Sequence, residues 1–206
     1  MTRSAKKEKT RFTYGDYCTW PEDQRWEIID GEAYDMTPAP SRYHSLISGE
    51  LFKQLAVFFE GKPCEVHAAP FDVRLPLVDE PDEEVDTVVQ PDLVVVCDDR
   101  KLDRKGCRGA PDIAIEILSP STSSKDAILK RERYQRAGVK QYWLADPESR
   151  EISILTLDEA RAYRLTGTFG DADTITVAGF PGLVIDMGKV FARLPKTVRE
   201  SPAKYL

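Results

Sequence analysis

Val88-Val89-Gln90-Pro91-Asp92-Leu93-Val94-Val95-Val96-Cys97 and, one connection later, Asp112-Ile113-Ala114-Ile115-Glu116-Ile117-Leu118 decide the fold. Both runs are short, apolar and rich in β-branched residues, the pattern of strands buried on both faces. If they pair antiparallel about a connection centred on position 104, then 92 faces 116, 94 faces 114 and 96 faces 112. The start of one strand then lies beside the end of the other, and the carboxylates of Asp92 and Glu116 stand together. Alternation sends Ile113, Ile115 and Ile117 to one face and Ala114, Glu116 and Leu118 to the other. Glu116 thus interrupts an apolar surface, where an unpaired carboxylate is costly or keeps its proton.

Working outward, Ser123-x-x-Asp126 in SPSTSSKD is a capping-box pattern. It predicts a helix from about Lys125 to Ala137, closed by Gly138 in a left-handed cap. Val139 to Ala145 reads as the next strand, and a strand, helix, strand run of this length takes a right-handed crossover to a parallel neighbour. Upstream, Asp30-Gly31 in WEIIDGEAYDM is a hairpin signal between two short strands. Ser45 to Gly61 carries Ile47, Leu51, Leu55 and Phe58 at helical spacing. Cys64 to Leu77 is strand-like, and beyond Asp146 the segments EISILTL, Ala162 to Thr166 and GFPGLVID predict a β-rich extension. The class is mixed α/β.

With 206 residues the chain is read as one domain over 12–193, a basic flexible tail over 1–11 and a loose tail over 194–206. Net charge is −6, from 29 basic and 35 acidic residues, so bulk charge alone does not hold this protein on nucleic acid. The acidic stretch Asp79 to Asp86 is read as a solvated connector. Cys18, Cys64, Cys97 and Cys107 lack CxxC spacing, which argues against structural zinc and predicts buried reduced thiols. There is no apolar run of membrane-spanning length and no signal-peptide pattern, so a cytosolic (cytoplasmic) protein without membrane partners is expected. GxSxG, Walker and Rossmann signatures are absent, which removes the motif basis for acyl transfer, P-loop chemistry and dinucleotide redox.

Two carboxylates brought together in an apolar sheet call for a cation. Oxygen ligands alone select a hard ion, Mg²⁺ or Mn²⁺, with water and phosphate completing its shell. The alternatives are that Asp92 is an ordinary strand-opening residue and that Glu116 pairs with an arginine. Pro111-Asp112 repeats the Pro-Asp dipeptide at the opposite end of the hairpin, where a turn role is expected.

Several blocks, in order, resemble one family. They are Trp26-Glu27-Ile28-Ile29-Asp30-Gly31-Glu32, Gln90-Pro91-Asp92-Leu93, Ala110-Pro111-Asp112 through Glu116-Ile117-Leu118-Ser119-Pro120-Ser121-Thr122, and YQRAGVKQYWLADP from Tyr134 to Pro147. The chain resembles the Uma family of restriction-endonuclease-like proteins from about Phe12 to Phe191. The resemblance implies the restriction-endonuclease-like fold of the PD-(D/E)XK nuclease superfamily, an α-β-β-β-α-β core. It also implies a Mg²⁺-dependent endodeoxyribonuclease acting on DNA, with Asp92 and Glu116 as metal ligands. The superfamily's strand lysine falls at Leu118 here. Some members are similar in carrying it on the following helix, which points to Lys130, with Lys125 as alternative. Glu27, His44 and Glu50 are further candidate pocket residues. A homodimer is expected because cutting both strands needs two sites. The rival expectations are a nuclease-fold module that binds DNA or protein without catalysis, and a hydrolase of small phosphorylated molecules.

Overall fold

A computed structural model describes residues 11–21, 23–36, 40–119 and 125–195, with backbone only for 125–127. The chain opens with a one-turn helix α1 (Tyr14–Tyr17), a hairpin of β1 (Trp26–Ile29) and β2 (Glu32–Asp35), and the long helix α2 (Arg42–Phe59). Strands β3 (Glu65–Ala68), β4 (Val73–Arg74), β5 (Val88–Val89) and β6 (Leu93–Val96) follow. A small hairpin, β7 (Leu102–Asp103) and β8 (Gly106–Arg108), then leads to β9 (Ile113–Ile117). Helix α3 (Lys125–Ala137) crosses to β10 (Gln141–Asp146), β11 (Glu151–Leu157) and β12 (Tyr163–Phe169). A last hairpin, β13 (Thr174–Thr176) with β14 (Val184–Asp186), runs into α4 (Met187–Phe191).

The central sheet has the order β12-β11-β10-β9-β6-β3, and a second sheet has the order β2-β1-β5-β4-β8-β7. The β9–β10 pair is parallel, as the crossover through α3 requires. Strands β6 and β9 are antiparallel with Val94 opposite Ala114, the register expected from the sequence. The run α2-β3-β6-β9-α3-β10 is the expected restriction-endonuclease-like core, so the mixed α/β assignment holds.

Hydrophobic alternation builds the layers. Leu93, Val95, Ile113, Ile115 and Trp143 face α2, where Ile47, Leu51, Leu55 and Phe59 form a buried stripe. The other face, with Val94, Val96, Ala114 and Tyr142, packs on Val73, Leu75 and Val89 of the second sheet region and on Tyr134 of α3. Ile113, Ile115 and Ile117 do share one face, and Glu116 looks the other way, into the space between the two sheets. Truncating a stripe residue such as Leu55 to Ala removes about 2–5 kcal/mol of stability.

Local signals were mostly realised. Asp30 and Gly31 take positive φ of 50° and 83°, the two left-handed residues of a tight hairpin turn. Gly138, φ 93°, closes α3 with its N–H on the Tyr134 carbonyl. The long helix starts earlier than expected: Ser41 caps it, its Oγ accepting from His44 N at 3.2 Å, so His44 lies inside the first turn. Phe59, not Phe58, completes its buried stripe. Val88 to Cys97 is two strands in different sheets, because Pro91 has no N–H for a ladder and the chain changes sheet there.

Three expectations need correction. Cys64 and Cys97 are joined in a disulfide and are not reduced thiols. They flank the Glu65–Val96 pair and so stand opposite each other on neighbouring antiparallel strands. Of the other two, Cys18 is exposed and Cys107 buried. The acidic stretch is not merely solvated, since Asp82 and Asp86 hold the buried guanidiniums of Arg74 and Arg133. Leu194, where the sequence starts the loose tail, is buried, and its carbonyl accepts from Arg150 Nη1 at 3.0 Å. Arg11 likewise pairs with Asp86 at 2.8 Å. Residues 1–10 and 196–206 lie outside the described residues. Among the described residues, no helix is long and apolar enough to cross a membrane.

Candidate active site

Asp92 stands where the chain leaves the second sheet and enters the central one. Its Oδ2 accepts from the backbone N–H of Ile117 at 2.7 Å, which ties it to the end of β9. Its Oδ1 lies 2.9 Å from Nε2 of His44, presented by the first turn of α2. Glu116 on β9 receives two donors, Lys130 Nζ at 3.1 Å and Tyr134 Oη at 2.8 Å. Both end on Oε1, so Oε2 has no protein partner among the described residues. Lys130 also lies 2.8 Å from Oε1 of Glu27, a residue of β1 that is only 2 % exposed. The same Glu27 oxygen accepts from the backbone N–H of Gln90 at 2.7 Å.

Helix α3 explains how lysine reaches this spot. Among its described side chains, Lys130, Arg133 and Tyr134 are the buried ones, at i, i+3 and i+4, so the face they share carries two cations and a phenol. One ammonium is thereby shared by two buried carboxylates while Asp92 adds a third. Burial pushes the Glu116 carboxyl up to about 7, with Asp92 and Glu27 adding to the rise and Lys130 and the Tyr134 hydroxyl opposing it. For Lys130, burial pulls the other way, but Glu116 and Glu27 more than reverse it and hold the ammonium charged above its usual range. The phenol of Tyr134 is raised by burial and by Glu116, so it stays a donor.

Among the described residues no group of three or more His, Cys, Asp and Glu side chains forms a metal cage. The donor set fits a different mode. Mg²⁺ is held through one or two carboxylates and keeps water and substrate phosphate as its other ligands. Asp92 and Glu116, the latter through the Oε2 left unpartnered among the described residues, would supply that kind of partial shell, with Glu27 as further negative charge beside it.

Of the residues singled out from sequence, Asp92, Glu116, Lys130, Glu27 and His44 are therefore brought into one cluster. Glu50 is not: its carboxylate serves Lys53 at 3.3 Å and Gln54 at 3.2 Å, and Gln54 reaches on to Asp186. The side chain of Lys125 and all of Ser123 lie outside the described residues. Asp112 does what a turn residue does, accepting from Cys97 N at 2.8 Å and from Lys140 at 2.7 Å. Two members of the cluster were missed. Tyr134 was detectable from its four-residue spacing to Lys130; Gln90, a backbone donor to Glu27, carries no local signal.

The profile described as "Uma2: Putative restriction endonuclease" matches residues 14–188. The chain belongs to the Uma2 family. A relative, "Uncharacterized protein slr1290" of Synechocystis sp., is 32% identical over 144 residues, covering 68% of this chain and 70% of that protein. In three dimensions this Uma2 chain is similar to a crystal structure described as a "putative nuclease belonging to DUF820" from Anabaena variabilis. The TM-score is 0.70 at 20% identity, over 89% of this chain and 99% of the other. At that identity the likeness is one of fold.

Proposed function

We propose that this Uma2 protein is a Mg²⁺-dependent endodeoxyribonuclease, with Mn²⁺ as the alternative ion, hydrolysing DNA phosphodiester bonds. The observation that carries the reading is the gathering of three little-exposed carboxylates, Glu27 and Glu116 on the one Lys130 ammonium and Asp92 on His44. Asp92 and Glu116 hold the ion, which when bound polarises the phosphate and acidifies water. His44 orients Asp92 from α2. Lys130, steered by Glu27, remains protonated, so its role is to orient the attacking water and to meet charge developing on the phosphate, not to take a proton. Duplex cleavage then needs two copies, one per strand.

The observation favouring a non-catalytic DNA-binding module is Leu118, where the superfamily has lysine. Lys130, at 3.1 Å from Glu116, supplies the missing ammonium from α3. The test is nicking of supercoiled plasmid with Mg²⁺ or Mn²⁺ by the wild type and by Glu116→Gln. Metal-dependent nicking that falls at least about a hundredfold in the variant supports the assignment. Folded wild-type protein that cuts no DNA substrate with either ion overturns it in favour of the binding module.

A further inference from the structure

Gln90 is only 6 % exposed, and its backbone N–H and both ends of its side-chain amide are committed. Its backbone N–H goes to Glu27, and its Nε2 donates to Asp72 Oδ1 at 2.9 Å and to Tyr17 Oη at 3.1 Å. Its Oε1 accepts from Nε and Nη2 of Arg25, at 3.1 and 2.9 Å. Arg25 is half-buried and lies two residues ahead of Glu27, on the approach to β1. It is therefore fixed to the same network that holds Glu27, Lys130 and Glu116, and its anchor, Gln90, sits two residues before Asp92.

What sets Arg25 apart is the kind of anchor. Arg74 and Arg133, the buried guanidiniums of this protein, are each held by two aspartates. Arg25 is held by a neutral amide oxygen, and none of its ion pairs to a carboxylate appears among the described residues. Asp72, the carboxylate on the far side of the Gln90 amide, already receives Gln90 Nε2 and Tyr17 Oη on its Oδ1. Two of the five guanidinium N–H groups are used on Gln90, so the cation keeps its charge and three donors at the edge of the cluster. In a chain of net charge −6, a guanidinium locked through Gln90 to the residue that holds Glu27, and unneutralised, is suited to an incoming anion.

We propose that Arg25 is a phosphate-binding residue that grips a backbone phosphodiester next to the scissile one, through the planar fork that guanidinium offers to phosphate oxygens. This rests on the nuclease reading above. Gln90 serves as the positioning residue that aims the fork.

The test is anisotropy of a fluorescein-labelled DNA duplex with Ca²⁺ replacing Mg²⁺, titrated with NaCl, for wild type, Arg25→Gln, Arg25→Lys and Arg100→Gln. Loss of one phosphate contact makes the slope of log affinity against log salt shallower by about 0.9 in Arg25→Gln, with Kd raised about tenfold. Arg25→Lys restores the slope, because the charge returns, but not the full affinity, because the fork does not. Arg100 is already neutralised by Asp98 at 2.8 Å, and its substitution leaves slope and affinity unchanged. If Arg25→Gln keeps the wild-type slope while wild type binds and cuts DNA, the Arg25 assignment alone is wrong. Should Arg25→Gln fail to melt like wild type, Arg25→Lys decides, since wild-type affinity in that variant rules out the fork. Wild type that neither binds nor cuts DNA overturns the nuclease reading and this inference together.

Discussion

Two regions of this protein bury a cation between carboxylates, and they do so in different ways. Around the second sheet, Arg74 of β4 meets Asp82 and Asp103, and Arg133 of α3 meets Asp30 and Asp86. The guanidiniums are about 1 % exposed while the aspartates keep 22–48 % of their side-chain surface. There the anions reach water and the cation is the buried partner. In the candidate active site the carboxylates are withdrawn as well as the cation, for Lys130 and Glu27 are buried, at 6 and 2 %, and Glu116 keeps only 12 % of its side-chain surface. Asp92 joins them as a third carboxylate. The first arrangement is electrically closed, because Arg11, Arg108 and Arg136 bring further cations to Asp86, Asp82 and Asp30. The second sets three little-exposed carboxylates against one lysine, an excess of negative charge that a cationic ligand would complete.

The sharpest way to break this contrast is to remove each cation. Lys130→Met strands Glu27 and Glu116 in the interior, and the expected loss is about 3 kcal/mol at pH 8. The loss shrinks at pH 5, where Glu116 escapes by taking a proton. Arg133→Met leaves aspartates that rehydrate in place. It forfeits mainly the bond to the Leu75 carbonyl and some packing, about 1–2 kcal/mol, with little change between the two pH values. Urea denaturation of both variants at both pH values reads this directly. Equal pH dependence in the two would mean that the clusters are of one kind.

A second test uses Glu116 itself. Its carboxyl is raised to about 7 in the folded protein from an ordinary value of 4.5. Between those values the folded state holds a proton that the unfolded chain has released, so stability falls as pH rises through this window and levels off above it. Metal-free wild type should therefore melt progressively lower from pH 5 to pH 8, and Glu116→Gln should flatten that part of the curve. An unchanged slope in the variant would assign the dependence to other groups.

The contrast also shows what a sequence can and cannot disclose. The hairpin register, the crossover helix with its Gly138 stop, and the meeting of Asp92 with Glu116 were legible because alternation and capping are local rules. Lys130 was legible only as a long cation one helix away from a place where lysine was missing. The acidic stretch misled because charge density says nothing of partners: Arg74 and Arg133 lie far along the chain from several of their aspartates. The Cys64–Cys97 bond was hidden for a related reason. Its partners are set by the β3–β6 register, and Cys64 to Leu77 alone does not reveal which strand lies beside it.

The smallest effect is expected at the second Pro-Asp dipeptide, which sequence alone barely separates from the first. Asp112 is as buried as a catalytic acid, at 6 %, yet both its oxygens are spoken for, by Cys97 N and by the ammonium of Lys140. Lys140 is 73 % exposed, so that pair lies in water on one side and contributes under about 1 kcal/mol. Asparagine keeps one carbonyl oxygen for the Cys97 N–H, so Asp112→Asn should cost about 0.5–1 kcal/mol and leave plasmid nicking at the wild-type rate. Asp92→Asn, the same change at the other dipeptide, should abolish nicking. Nicking lost in both would extend the chemistry to the far end of the hairpin. Nicking lost only in Asp92→Asn ties it to the carboxylate that lies beside Glu116, where surplus negative charge, not burial, distinguishes the site.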